Sequence, residues 1–286
     1  MKRYASHACV LAAGILWGVI GLFNRRLTAA GLSVQSIVLV RNLGSLVVLA
    51  LVFLLLDRSV FRIEAKHLPL FFGTGVVSIV FFTLCYFSCQ RLCSLAVAAA
   101  LLYTAPAFVV LFAAILWKEK LTKRKLAALL LAFLGCTFVS GIWTGERGVT
   151  LWGVLLGVGS GLFYGLYSIF GRYALAHYRP YTVTFYTFVF AGLGSLAFLR
   201  PAELAAAFAQ PGAPWLALGL VAVSTVLPYL LYTKGLAGLE SGKASILASI
   251  EPITAAVAGV IAFGEPLTGG VVCGLVCVLL SVFILR

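Results

Sequence analysis

Eight side chains in this 286-residue sequence are carboxylic acids, and one of them, Glu251, falls well inside an apolar stretch, about seven residues from its nearer end. At a helical rise of about 1.5 Å per residue it lies roughly 10 Å deep. A carboxylate at that depth is costly unless it is protonated, paired or facing a wet cavity, so such a group suits a proton carrier or the counter-ion of a cationic solute. The competing reading is structural: Glu251 bonds a neighbouring helix and steadies a proline kink. Arg41 lies about seven residues inside another apolar stretch, from the opposite face. In a core of about 30 Å the two charges are then separated by roughly 9 Å along the membrane normal. Arg41 could meet a carboxylate on a solute, or it snorkels outward or makes a structural hydrogen bond.

Pro106 and Pro252 each remove a backbone donor and free the carbonyl four residues earlier, on Leu102 and Ala248. In lipid such a break persists only where protein or cavity water satisfies the freed group. The pair therefore marks a binding region or two hinges, with inherited packing kinks as the plain alternative. Trp17 and Tyr164 stand beside Gly18 and Gly165, Tyr86 pairs with Tyr232, and Tyr103 lies one turn before Pro106. Aromatic faces beside a lone carboxylate bind organic cations by cation–π attraction, although many aromatics in such a chain are core or interfacial-belt residues. Gly14, Gly18 and Gly21, then Gly153, Gly157, Gly161 and Gly165, let neighbouring backbones approach closely.

Other residues read as structural. Glu119 and Glu265 recur at helix ends just before Thr122 and Thr268, which can cap the following helices. The run Lys118 to Lys125 reads as a topology anchor, and His7, His67 and His177 as scattered edge residues. Cys85, Cys89 and Cys93 share one helical face, as do Cys273 and Cys277, but no His or carboxylate joins them. Neither a metal site nor a disulfide is expected. No phosphate-binding loop, Ser-His-Asp arrangement or coupled acidic pair is evident, and one isolated carboxylate offers no nucleophile and base together. The expectation is a non-enzymatic protein without a cofactor.

The elements that must position these residues are transmembrane. A chain that is 63% hydrophobic and 10% charged, with a mean hydropathy of +1.12, cannot be a soluble globule. Ten spans are expected, near 5–23, 34–56, 69–88, 94–117, 126–143, 150–171, 180–199, 214–233, 244–263 and 269–285. The first follows Met1-Lys2-Arg3 as a signal peptide would, but its length and its counterpart in the sixth span mark a retained helix. With the N-terminus inside, fifteen Lys and Arg fall at cytoplasmic positions and five outside, with Arg41 within a span. This positive-inside bias places both termini in the cytoplasm. The net charge of +13 thus reports topology and contact with anionic membrane lipid, not a nucleic-acid partner.

The two halves repeat at an offset of 146: Tyr86 answers to Tyr232, Val77-Ser78 to Val223-Ser224, Pro106 to Pro252, and Glu119-Lys120-Leu121-Thr122 to Glu265-Pro266-Leu267-Thr268. Five spans per repeat is odd, so the second half, 147–286, must be inverted relative to the first, 1–146. The expected fold is an all-α integral membrane protein of two inverted five-helix repeats, the pattern of a secondary transporter.

Leu16-Trp17-Gly18, Val40-Arg41-Asn42, Glu251-Pro252 and Gly264-Glu265-Pro266-Leu267-Thr268 before a Gly-rich last helix resemble the EamA-type transporters of the drug/metabolite transporter superfamily. The resemblance covers essentially the whole chain in two copies. It implies ten helices, cytoplasmic termini, a central cavity between the repeats and alternating access. The first repeat departs by carrying Ala105-Pro106 where the second has Glu251-Pro252, so any acid–base role falls on one repeat. The expected function is alternating-access transport of a small polar metabolite, amino-acid-like or amine-bearing, across the bacterial cytoplasmic membrane, with export favoured by the resemblance alone. Glu251 would exchange protons or balance an ammonium group, Trp17, Tyr86, Tyr103, Tyr164 and Tyr232 would wall the cavity, and Arg41 would be a further contact. Two rivals stand beside it: an importer of a quaternary amine such as choline, and a non-transporting membrane subunit of a lipid-modifying complex. The residues set no oligomeric state.

Overall fold

The computed structural model describes residues 2–92, 101–139, 150–264 and 269–284, and among them it is all helix and turn, with no strand. Helix α1 (Lys2–Gly18) and α2 (Ile20–Ala29) form one path, kinked at Val19. The hydroxyl of Ser33 caps α3 (Val34–Leu56) by accepting the Ser36 N–H. The next path runs through α4 (Leu68–Phe72), a π-helical segment Gly73–Val80 and α5 (Phe81–Leu92). Helices α6 (Ala105–Trp117) and α7 (Lys123–Val139) complete the first half. In the second half, α8 (Leu151–Leu175) begins at Thr150, whose side chain accepts the Gly153 N–H, and α9 (Pro180–Ser195) begins at a proline. Then come α10 (Pro201–Phe208), α11 (Ala213–Val221), a second π segment Ala222–Val226 and α12 (Leu227–Leu236). Helices α13 (Ser241–Ala248), α14 (Glu251–Phe263) and α15 (Gly269–Ile284) follow.

Six paths among the described residues are long and apolar enough to cross a membrane: Tyr4–Ala29, Val34–Leu56, Ala65–Tyr86, Leu151–Leu175, Pro180–Phe198 and Ala213–Leu236. Ala105–Trp117 and Val272–Ser281 are shorter apolar helices. Leu55, Ile261 and Trp152 are more than two-thirds exposed, along with many other large apolar side chains. Such a surface is suited to hydrocarbon rather than water.

The proline-marked helices are broken, not merely kinked. A turn at Tyr103 and Thr104 precedes α6, so Pro106 sits in the first turn, where its missing N–H costs no intrahelical bond. In the second half α13 stops at Ala248 and α14 starts at Glu251. The Pro252 side chain lies outside the described residues. Both breaks rest against glycines. A Cβ at Gly14 would stand 3.0 Å from the Ala248 carbonyl oxygen, and one at Gly161 would stand 3.0 Å from that of Leu102. One turn on, Gly18 meets the Glu251 carbonyl and Gly165 that of Ala105. Thus α1 packs on the broken α13–α14 path as α8 packs on the broken path before α6, and small residues permit both approaches.

The π segments also match at the repeat offset, Val76 to Val80 against Ala222 to Val226. In each, a hydroxyl takes up a carbonyl five residues back: Ser78 Oγ donates to Gly73 at 2.8 Å and Thr225 Oγ1 to Leu220 at 2.9 Å.

Helix α10 falls in a stretch left between spans in the sequence reading. It is tied down by the Ser33 N–H, which donates to the Glu203 carboxylate, and by Gln210 Nε2, which donates to the Ala30 carbonyl at 3.1 Å. Hydrogen bonding from Ser33, side chain first, holds the Glu203 carboxyl down to about 2.

Loop contacts sort the connections into two ends. Asp57 meets Arg179 at 3.7 Å, the Glu64 N–H donates to Tyr178 at 3.0 Å, and Lys125 meets Glu240 at 2.6 Å. These join the loops after α3, α6, α8 and α12 at one basic end, while the Ser33–Glu203 and Ala30–Gln210 contacts mark the other. The largest buried cluster lies where the halves meet, with Val10, Ala13 and Trp17 from α1, Tyr167 from α8, Phe188 from α9, Tyr229 and Tyr232 from α12, and Leu247 from α13.

Candidate functional site

Trp17 is the hub of that junction. It is 5% exposed, and its ring lies 5.1 Å from Tyr229, 5.3 Å from Tyr232 and 6.4 Å from Tyr164, centroid to centroid. Helical spacing brings its partners to one face: Tyr164, Tyr167 and Ser168 along α8, Tyr229 and Tyr232 along α12, Ser245 and Ala248 along α13. Two of the phenols are fixed by hydroxyl neighbours. Tyr167 and Thr233 share a hydrogen bond of 2.7 Å, as do Ser168 and Tyr232. Together these side chains enclose a cavity of about 20 Å³, lined by Trp17, Tyr164, Tyr167, Ser168, Tyr229 and Tyr232 among others. That is room for roughly one water molecule.

A charge of each sign reaches the cluster, and both are poorly satisfied. Tyr164 donates to Glu251 Oε2 over a long 3.4 Å. Arg41 Nη2 donates to the Tyr229 oxygen over 3.3 Å, with the guanidinium carbon 5.9 Å from that ring. Arg41 is 8% exposed, yet among the described residues its Nε has no hydrogen-bond partner, and neither does the buried Nε1 of Trp17. An orphaned buried donor costs about 1–3 kcal/mol. No ion pair joins Arg41 to Glu251 among the described residues; they meet the same aromatic cluster through different tyrosines. The arrangement offers an anionic end, a cationic end, aromatic walls and free N–H donors between them.

Trp17, Tyr164 and Tyr232, expected from the sequence, line the cavity, with Glu251 and Arg41 attached through Tyr164 and Tyr229. Tyr86 stands behind the wall: it stacks on Phe82 at 6.0 Å, and Phe82 packs on Tyr164 at 5.3 Å. Tyr103 is in the turn before buried Pro106, away from the lining. Tyr167, Ser168, Tyr229 and Ser245 were not singled out from sequence. Their signal is their place, three or four residues from a chosen aromatic or one turn before Ala248. Cys85, Cys273 and Cys277 carry free thiols, and Cys93 lies outside the described residues.

A second polar cluster sits at the basic end and corrects the helix-end reading of Glu119. Thr122 does cap α7, accepting the Lys125 N–H at 3.2 Å. Glu119, however, turns inward and accepts from Arg172, and its other oxygen lies 3.1 Å from Lys125 Nζ. The Lys125 side chain, part of the run expected as a topology anchor, is 5% exposed and also meets Glu240 at 2.6 Å. Lys125 holds the Glu240 carboxyl below the usual carboxylate range. The turn depends on Lys118, whose φ of 53° is the one positive value among described non-glycine residues, and which lets the Glu119 N–H reach back to the Ala113 carbonyl at 3.3 Å. Glu265, Thr268, Arg147 and Arg286 lie outside the described residues. His67 and His177 are not scattered either: their rings stack at 4.3 Å, and His67 Nδ1 is 2.7 Å from the Tyr178 oxygen.

Comparison with known proteins agrees with this architecture. A solved crystal structure of another protein superposes with a TM-score of 0.80 at 18% identity, over 99% of this chain and 96% of that one, a likeness of fold alone. An uncharacterized transporter of Archaeoglobus fulgidus is 33% identical over 267 residues, covering 93% of this chain and 90% of its own length. The threonine/homoserine exporter RhtA of Salmonella typhimurium strain LT2 is 32% identical over 234 residues, or 79% of this chain and 72% of the relative. RhtA of Escherichia coli K12 is 31% identical over 233 residues, with the same coverage. The EamA-like transporter family matches the sequence twice, over residues 5–141 and 151–286. The chain belongs to the EamA-like transporter family, within the drug/metabolite transporter superfamily.

Proposed function

We propose that the protein is an alternating-access secondary transporter that exports a small amino-acid-like zwitterion across the cytoplasmic membrane. Ten spans form two inverted halves, 1–146 and 147–286, with both termini and the basic end in the cytoplasm. The observation that carries the substrate class is the pair of under-satisfied charges at the aromatic cluster. Among the described residues Glu251 accepts one long hydrogen bond, from Tyr164, while Arg41, bonded to Tyr229, keeps an unpartnered Nε, and both tyrosines pack on Trp17. A zwitterion supplies both missing partners: its ammonium turns to Glu251 and the aromatic faces, its carboxylate to Arg41 and the indole N–H. The RhtA relatives, named as threonine/homoserine exporters, support the same class. Between cargoes a proton on Glu251 can replace the ammonium, which couples export to the proton gradient.

The aromatic box beside a lone carboxylate favours one second reading, a quaternary amine such as choline as the solute. A thermal-shift screen separates the two. A ligand at about a hundred times its dissociation constant stabilises the native state by about 2.7 kcal/mol. Threonine or homoserine should stabilise the wild type, and either Arg41→Gln or Glu251→Gln should abolish the shift. If choline stabilises both the wild type and Arg41→Gln but not Glu251→Gln, the amine reading replaces the zwitterion. No shift with any amino acid, amine or organic anion would sink both.

A further inference from the structure

We propose that Glu119, Lys125, Arg172 and Glu240 form a lock that holds the two halves together at the basic end and closes the aromatic cavity from that side. The inference rests on the alternating-access reading above and adds the device that seals one face.

Position carries the first part of the argument. Arg172 is four residues beyond Ser168 on α8, and Ser241, which accepts from Arg172 at 3.5 Å, is four residues before Ser245 on α13. Ser168 and Ser245 both line the cavity. Two separate helices therefore put the lock one turn, about 6 Å of rise, past the cavity wall in the same direction. A solute passing between α8 and α13 toward the basic end has to part these charges.

Connectivity carries the second part. Glu119 and Lys125 belong to the first half, Arg172 and Glu240 to the second, so each of the ion pairs Glu119–Arg172 and Lys125–Glu240 crosses between halves. The Arg172 guanidinium also lies 4.2 Å from the centroid of the Trp117 ring at the end of α6. The energetics suit a lock. Glu119 is 7% and Lys125 5% exposed, so the pairs bear a desolvation cost that offsets much of their attraction. Parting the halves loses the pairing but returns the charges to water, so closed and open arrangements are close in free energy and a bound solute can shift between them. Removing one partner breaks that balance, because the closed form then buries an unpaired charge.

The test uses Ser245→Cys as reporter in a background whose seven native cysteines are replaced. Its rate of modification by a water-soluble maleimide is measured in inside-out vesicles without added solute. Glu119→Gln should raise the rate about ten-fold by shifting the population toward the open form. Adding Arg172→Gln to Glu119→Gln removes the cation left unpaired and should bring the rate back toward its starting value, which lost packing alone would not explain. Should Glu119→Gln fail to fold, Glu240→Gln removes a half-exposed partner and should give a smaller rise, about three-fold. An unchanged rate in a folded, monodisperse Glu119→Gln protein overturns the lock. A raised rate with no thermal shift from any solute overturns only the substrate reading, and a solute-induced shift with an unmoved rate overturns only the lock.

Discussion

Trp17 shows how one side chain can serve both packing and recognition. Its ring fills the space between three tyrosines, while its N–H is buried without an acceptor among the described residues. The two roles separate by substitution. Trp17→Ala removes the packed ring and should cost about 3–5 kcal/mol, seen as a large fall in melting temperature. Trp17→Phe keeps an aromatic face and loses only the unpaired donor, so the protein should melt within a few degrees of the wild type. If the indole donates to the solute carboxylate, Trp17→Phe weakens binding about ten-fold, near the upper end of one net hydrogen bond. Equal affinity in wild type and Trp17→Phe would remove the indole N–H from the recognition scheme and leave Arg41 alone at that end. Trp17 and Glu251 were legible in the sequence because an indole beside a membrane glycine and a carboxylate in an apolar run are each costly unless used. Tyr229 was not, because a tyrosine among so many aromatics is distinguished only by the face it shares with Tyr232.

At the scale of elements, the close contacts are between glycines and broken helices, and these can be tested one glycine at a time. A Cβ at Gly161 would meet Thr104 Oγ1 and the Leu101 and Leu102 carbonyls, whereas one at Gly21 would have nothing within 4 Å. Gly161→Ala should therefore destabilise by about 1–3 kcal/mol, the usual cost of overpacking. Gly21→Ala should be neutral or stabilising by up to about 1 kcal/mol through helix propensity. Thermal unfolding in detergent checks both, and equal melting temperatures would mean that α8 can draw back from the break without loss. The glycine spacing was legible as close packing, but its partner was not. Proline at 106 and 252 marked where the fourth and ninth expected spans change course, yet a kink and a fresh helix start look alike in sequence, since proline fits both. The inward turn of Glu119 was hidden for a related reason: it hangs on a left-handed lysine, a conformation that residue type does not announce.

For the whole molecule, the decisive property is that the connections alternate between two ends and that one end is basic. The Asp57–Arg179 and Lys125–Glu240 contacts gather the loops that carry most of the lysine and arginine, while Glu203 and Gln210 bind the turn at 30–33 at the other end. Positive loops resist translocation, so the basic end should face the cytoplasm. Single cysteines at Lys66 and Ala202, both exposed, report the two ends in a cysteine-free background. A membrane-impermeant maleimide applied to intact cells should label Ala202→Cys and spare Lys66→Cys, and inside-out vesicles should reverse the pattern. The opposite pattern would turn the molecule over and make the Glu119–Arg172 lock an outer seal. Labelling of both cysteines from the same side would be a deeper failure. It would contradict the alternation of ends that brings Asp57 to Arg179, and with it the proposed odd number of crossings that would invert the second half. The proposed alternating access depends on that inversion, because two halves of opposite direction could exchange conformations and open the same aromatic cavity first to one side and then to the other.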